Sequence, residues 1–358
     1  MTPWACNLGG SRGGGNRGSR RWASLAGALN RLGVLAAILW WFAAAAPAHG
    51  VGIERLEVTS LAGERLPVTI FYPAIERYTP LPMGPYDVLG KPGAAWKTGL
   101  FPLIVISHGT SASMLSHHDS ASYLALNGFI VAAVEHAGDN YRDTSGLGKL
   151  STAYRRASHI STVVDYLLAT PYGRQIDRDR IGVIGFSSGT VTALMLAGAE
   201  PDFGRLAAYC RDRVRATGLC EGGGKLAPDR AVRGVVADER IGAALLLAPI
   251  GVLFDSAQLS RIRIPVGIIF AGEDAELSLE VNVRPLADHL ANVEMIEMIP
   301  LAGHMIFLAP CTDRMAAEAK AICDDPPLVD REREHSLLNA MALSFFRQAF
   351  EAVQAHRQ

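Results

Sequence analysis

The 358-residue chain predicts an α/β fold: a mostly parallel sheet flanked by helices, with an opening antiparallel hairpin. Three observations predict it. Short runs that are apolar on both faces recur along the chain, as buried parallel strands do. Helical patterns alternate with those runs. At 49% hydrophobic and 19% charged, the chain has enough apolar side chain for one large core.

The first segment reads as an export signal. Five arginines (Arg12, Arg17, Arg20, Arg21 and Arg31), with no acidic residue among them, precede the apolar run Leu32–Ala46 and an A-x-A site at 46–48. That order describes a secretory signal peptide over residues 1–48, cleaved to leave His49 first. The apolar run is short for a membrane span, which needs about 20 residues. An uncleaved anchor is the other reading, and "SRRW" at 19–22 resembles part of a twin-arginine signal. The rest, 49–358, is expected to form one domain.

The runs "IERLEVTS" (53–60) and "LPVTIFYP" (66–73) predict the hairpin, with Gly63 in its turn. Residues 74–100, rich in Pro and Gly, read as a loop. The buried parallel strands are "LIVIS" (103–107), "FIVAAV" (129–134), "IGVIG" (181–185), "AALLLA" (243–248), "VGIIF" (266–270) and "VEMIEMI" (293–299). Between them, "SASYLALNG" predicts a helix ending at Gly128, "RASHISTVVDYLLAT" one stopping before Pro171, and "TVTALMLAGA" one beginning after the serines at 187 and 188. The last helix, from His335 on, carries apolar residues at three and four spacing and is expected to pack on the sheet. Residues 200–238 break the rhythm and read as an insertion, either a lid over the site or a surface excursion.

A net charge of −1 argues against a nucleic-acid partner. Five cysteines are present. Cys6 leaves with the signal, and Cys210, Cys220, Cys311 and Cys323 remain. An even number in an oxidising compartment suggests disulfides, with three possible pairings. Proximity favours Cys210–Cys220 and Cys311–Cys323. Four buried free thiols are the alternative; zinc lacks a C-x₂-C pair and a nearby His cluster.

The chemistry gathers at strand ends. "GFSSG" (185–189) has the G-x-S-x-G spacing of a sharp strand-to-helix turn that exposes the central hydroxyl, here Ser187. "SHGT" (107–110) follows another strand, and a His-Gly pair there lends a backbone N–H to an oxyanion hole. The two donors are then the amides of Thr110 and Ser188, and His108 orients the loop rather than transferring protons. A serine hydroxyl needs a base. His304, after the last strand, supplies one, and Asp274, just past "VGIIF", would fix its tautomer. Glu273 and Asp255 are rival acids. His136 and Asp139 in "VEHAGDN" either line the pocket or form a strand-end turn held by the aspartate.

With "SHGT", "VEHAGDN", "GFSSG", "AGHMIFLAPC" (302–311) and the tail from "ICDDPPLVDREREH" onward, the chain resembles bacterial predicted dienelactone hydrolases of the α/β-hydrolase superfamily, relatives of platelet-activating-factor acetylhydrolase. The resemblance runs from about Ile53 to the C-terminus and implies the α/β-hydrolase fold. Two departures matter. The acetylhydrolase places its acid after the strand matching "AALLLA", where residues 247–250 offer no carboxylate, so the acid moves to Asp274. A dienelactone hydrolase uses a cysteine where this chain has Ser187.

The expected activity is that of an exported serine hydrolase, periplasmic or secreted. It cleaves a small-molecule or lipid-like carboxylic ester through an acyl-enzyme on Ser187, without metal or organic cofactor. Membrane contact is expected only through the export signal. An amidase or peptidase with the same three residues, or a non-catalytic binding protein on the same scaffold, are the competing readings.

Overall fold

The structure, a computed structural model, describes residues 50–211, 218–220, 222–229 and 237–355, with side chains to 351. The export signal and the middle of the 200–238 insertion lie outside the described residues. Ten strands form one sheet in the order β10-β9-β8-β7-β5-β6-β2-β1-β4-β3. The hairpin comes first: β1 (Gly50–Thr59) and β2 (Arg65–Ala74) pair antiparallel along their full length. Ser60 Oγ accepts from the Ala62 and Glu64 amides across their turn, and Gly63 supplies its positive φ of 78°.

The expected loop at 74–100 is instead a second hairpin, β3 (Thr79–Met83) and β4 (Tyr86–Pro92). Pro80 and Pro82 argued against a strand, but β3 lies at the sheet edge, where a missing N–H breaks no ladder. The parallel strands follow: β5 (Phe101–Ser107), β6 (Ile130–Val134), β7 (Ile176–Phe186), β8 (Ile241–Leu247), β9 (Val266–Ala271) and β10 (Val293–Ile299). β5 through β9 are buried along most of their length, as continuous apolar runs require. β10 departs from the expectation. It is the other edge of the sheet, and Ile296 and Met298 are half-exposed.

Helices cover both faces. α1 (His118–Leu126) packs against the C-terminal helix, while α2 (Leu150–Ala169) packs against α3 (Ser188–Leu196). α2 starts six residues before the predicted Arg156. α4 (Phe203–Tyr209) opens the insertion, capped by Asp202, whose Oδ1 accepts from the Gly204 amide at 2.8 Å. α5 (Arg331–Ala355) lays Phe345, Phe346 and Phe350 against the sheet. Both expected disulfides are formed, Cys210–Cys220 and Cys311–Cys323.

β5 pairs with β6 on one side and β7 on the other, so the strand order reverses there. Open α/β sheets bind ligands at such a point, beyond the carboxyl ends of the strands. Ser107 and Phe186 end the two adjacent strands, and the loops that follow them meet.

Candidate active site

Ser187 sits between β7 and α3 at φ 52°, ψ −118°, a conformation that costs a non-glycine residue about 1–3 kcal/mol and persists only where surroundings enforce it. The enforcement is visible. Its N–H donates to the Leu247 carbonyl at 2.9 Å, and its carbonyl accepts from Thr190 Oγ1 at 2.6 Å. The flanking glycines are demanded by crowding: a Cβ on Gly185 would collide with the Gly189 carbonyl, and one on Gly189 with the Ser107 carbonyl.

His304 opens a short 3-10 turn after β10. Its Nε2 lies 3.1 Å from Ser187 Oγ and its Nδ1 lies 2.7 Å from Asp274 Oδ2. A carboxylate only accepts, so Nδ1 carries the hydrogen and Nε2 is left to accept the serine proton. Asp274 is nearly enclosed, its side chain 4% exposed. Its Oδ1 accepts from the Glu276 and Leu277 amides at 2.9 and 2.8 Å. The structure thus brings Ser187, His304 and Asp274 into one hydrogen-bonded chain. It leaves the rival acids elsewhere: Glu273 is exposed, and Asp255 caps a short helix by accepting from the Gln258 amide.

Thr110 and Ser188 both line the cavity beside Ser187. Ser188 is the first residue of α3, so its N–H has no acceptor within the helix, and its hydroxyl is buried without a partner. Gly109 passes so near the serine that an added Cβ would lie 2.9 Å from the Phe186 ring and 3.4 Å from Ser187 Cβ. His108 is buried, donates from Nδ1 to the Gly109 carbonyl at 2.7 Å, and accepts the His136 N–H at Nε2. Burial, aided by the charge of Arg156, holds its pKa well below the ordinary histidine value, so the ring is neutral.

The two residues of "VEHAGDN" part company. Asp139 lines the cavity and also holds its turn, accepting from the Ser111 amide at 2.8 Å and from Arg156 Nη1 at 2.6 Å. His136 is fully buried beneath the loop, between Ser107 Oγ and His159 Nδ1, and does not line the cavity. Periodicity missed Arg156, although a signal existed. It occupies the stripe of Ile160, Val163, Val164 and Leu167, and a charge on the apolar face of a helix marks a buried polar site.

A further cluster braces the segment that carries His304. His335 of α5 lies between Asp119 Oδ2 and the Ile306 carbonyl, 2.7 Å from each. Both neighbours are acceptors, so the imidazole carries both hydrogens. Burial pushes His335 down, but the charge and hydrogen bond of Asp119 outweigh it and its pKa is raised. His117 donates to the Phe307 carbonyl at 2.9 Å and is pushed down to about 4 by burial. Arg331 reaches Asp325 and the Leu308 and Ile322 carbonyls, and the Cys311–Cys323 bridge closes the same region.

The cavity above Ser187 measures about 1070 Å³. One wall comes from the hairpins, with Leu56, Val68 and Met83. Other lining residues come from the insertion, with Phe203, Leu206 and Leu226. Among the described residues no group of His, Cys, Asp and Glu is arranged to hold a metal.

Comparison with known proteins bears on the fold. The sequence profile of the family described as platelet-activating factor acetylhydrolase, isoform II, matches residues 83–157. That span holds the 108–111 loop, Asp139 and Arg156, but not Ser187, Asp274 or His304. The platelet-activating factor acetylhydrolase of Canis lupus familiaris is 29% identical over 147 residues, covering 29% of this chain. The match spans only 33% of that relative's length. Among solved structures, a ferulic acid esterase from Streptomyces cinnamoneus superposes with a TM-score of 0.60 at 19% identity, over 86% of this chain and 93% of that one. A dienelactone hydrolase-like promiscuous phosphotriesterase from metagenomic libraries gives 0.50 at 16% identity, over 84% and 99%. These likenesses show that the chain has the α/β-hydrolase fold.

Proposed function

We propose that the protein is an exported serine hydrolase that cleaves carboxylic esters. Ser187 Oγ attacks the ester carbonyl while His304 Nε2 takes its proton, and Asp274 steadies the imidazolium that forms. The negative charge on the former carbonyl oxygen meets the amides of Thr110 and Ser188, donors already aimed before reaction begins. His304 then returns the proton to the leaving alkoxide, and water repeats the sequence on the acyl-enzyme.

The observation that carries this reading is the chain Ser187–His304–Asp274, at 3.1 and 2.7 Å, at the switch point of the sheet. Similarity to acetylhydrolases supports an ester substrate. The cavity's apolar walls favour a substrate with an apolar, lipid-like portion. Export is supported by residues 1–48 and by the two disulfides, which persist in oxidising compartments.

The test is a series of p-nitrophenyl esters of increasing chain length, with matched anilides, together with fluorophosphonate labelling. Wild-type protein should label and turn over esters faster than anilides, and Ser187→Ala should do neither. Labelling without ester turnover, or turnover surviving in Ser187→Ala, would overturn the reading.

A further inference from the structure

Oxyanion stabilisation depends on donors fixed in place before the charge develops, and small misplacements cost large factors in rate. The loop 108–111 is short, and Ser111 stands at φ 54°, a left-handed conformation unusual for serine. What holds it is a buried ion pair. Asp139 Oδ1 accepts from the Ser111 amide at 2.8 Å, on the downstream side of Thr110. Asp139 Oδ2 accepts from Arg156 Nη1 at 2.6 Å. Arg156 Nη2 donates to the His108 carbonyl, on the upstream side, and to Ser107 Oγ at 3.4 Å. Its Nε donates to Thr192 Oγ1 at 3.3 Å, and Thr192 belongs to α3, the helix that begins with Ser188.

We infer that Arg156 and Asp139 are positioning residues for catalysis, setting the Thr110 amide and the Ser188 amide relative to one another; this rests on the proposed role of those amides. The side chains are 3% and 7% exposed. Arg156 also lines the cavity, but four of its five guanidinium N–H groups already have acceptors within the protein, so its role is read through the loop it holds. The His108 ring completes the arrangement. It donates to the Gly109 carbonyl, the other end of the peptide plane that carries the Thr110 N–H, and so points that N–H away from the ring. One guanidinium therefore couples the 108–111 loop, the Asp139 turn and α3, all of which contribute residues to the cavity beside Ser187.

The test compares Arg156→Lys, Asp139→Ala and the double variant Asp139→Asn/Arg156→Met with wild type and with Ser187→Ala. The double variant leaves no unpaired buried charge, and exchanging both partners of a buried pair is far less disruptive than removing one. Steady-state kinetics on p-nitrophenyl butyrate are measured with binding of an alkyl trifluoromethyl ketone, which forms a tetrahedral adduct, and with the unfolding midpoint. Asp139→Ala and the double variant should lose about 10²-fold in kcat with KM little changed, the size expected when an oxyanion donor is lost. Ketone affinity of the folded protein should fall in step. Arg156→Lys, a point charge that cannot bridge both loop and carboxylate, should fall between. A double variant with wild-type kcat and ketone affinity overturns the inference. So does a loss of activity that only follows the loss of folded protein while ketone affinity is kept. Turnover surviving in Ser187→Ala would instead defeat the serine reading, and this inference with it.

Discussion

Ser187 Oγ lies 3.1 Å from an imidazole nitrogen, whereas Ser188 Oγ is buried against the start of α3 without a hydrogen bond. The two hydroxyls therefore differ in consequence. Ser188→Ala removes no hydrogen bond and keeps the amide, so it should retain most ester turnover while Ser187→Ala retains none; kinetics on the two purified variants checks this. Asp274 and Glu273 pose the same kind of choice between neighbours. Asp274→Asn keeps the shape but puts a donor where His304 needs an acceptor, which favours the wrong tautomer. A loss in kcat of about 10⁴ is the order expected. Glu273→Gln, exposed and away from His304, should change kcat less than twofold to threefold by ordinary surface standards. A severe loss at Glu273 with a mild one at Asp274 would move the acid.

At the scale of elements, the loop bearing His304 depends on α5. His335 gives one hydrogen to Asp119 and the other to the Ile306 carbonyl, two residues from His304. Its pKa is raised in the fold, so the stability it contributes is full below its unfolded value of about 6.5 and is lost as pH rises through the folded value. Asp119 works the other way. Burial pushes its pKa up, but the charge and hydrogen bond of His335 outweigh this and leave it lowered. Its contribution is present above about 3.9 and fades only as pH falls through the lower folded value. The brace is therefore strongest from about pH 4 to 6.5. His335→Gln should lower the unfolding midpoint most near pH 6, where breaking a buried pair costs about 3–5 kcal/mol, and less toward pH 9. Thermal unfolding of both proteins across that range checks it; a difference that grows with pH would reject the imidazolium.

The whole molecule is pinned near its cavity by two short covalent loops, with sequence separations of 10 and 12. Each contributes about 3 kcal/mol if it acts by restricting the unfolded chain. For a domain of this size that corresponds to roughly 5 °C in unfolding midpoint. Cys210→Ser/Cys220→Ser should lower the midpoint by about that much and also alter chain-length preference among esters, because Leu206 and Leu219 of the insertion line the cavity. Cys311→Ser/Cys323→Ser should lower kcat as well, since that bridge lies in the region that steadies the His304 segment. Calorimetry and ester kinetics on both double variants separate the two effects.

By itself the sequence determined what local pattern determines. Continuous apolar runs marked β5 to β9, and G-x-S-x-G marked the turn at Ser187, because burial on both faces and a glycine-framed turn leave signatures over a few residues. Edges were harder to read. Pro80 and Pro82 hid β3 and β4, and "VEMIEMI" looked like a buried strand, because whether a strand has one neighbour or two is decided by the sheet order. Only the tertiary structure decided what depends on distant partners. Arg156, Asp139, Thr192 and Ser111 stand far apart along the chain, as do Asp119 and His335, and no spacing in one sequence encodes their pairing. The fold brings the helices and loops that carry them together, and a buried charge, which is costly until paired, then takes the partner that the fold presents.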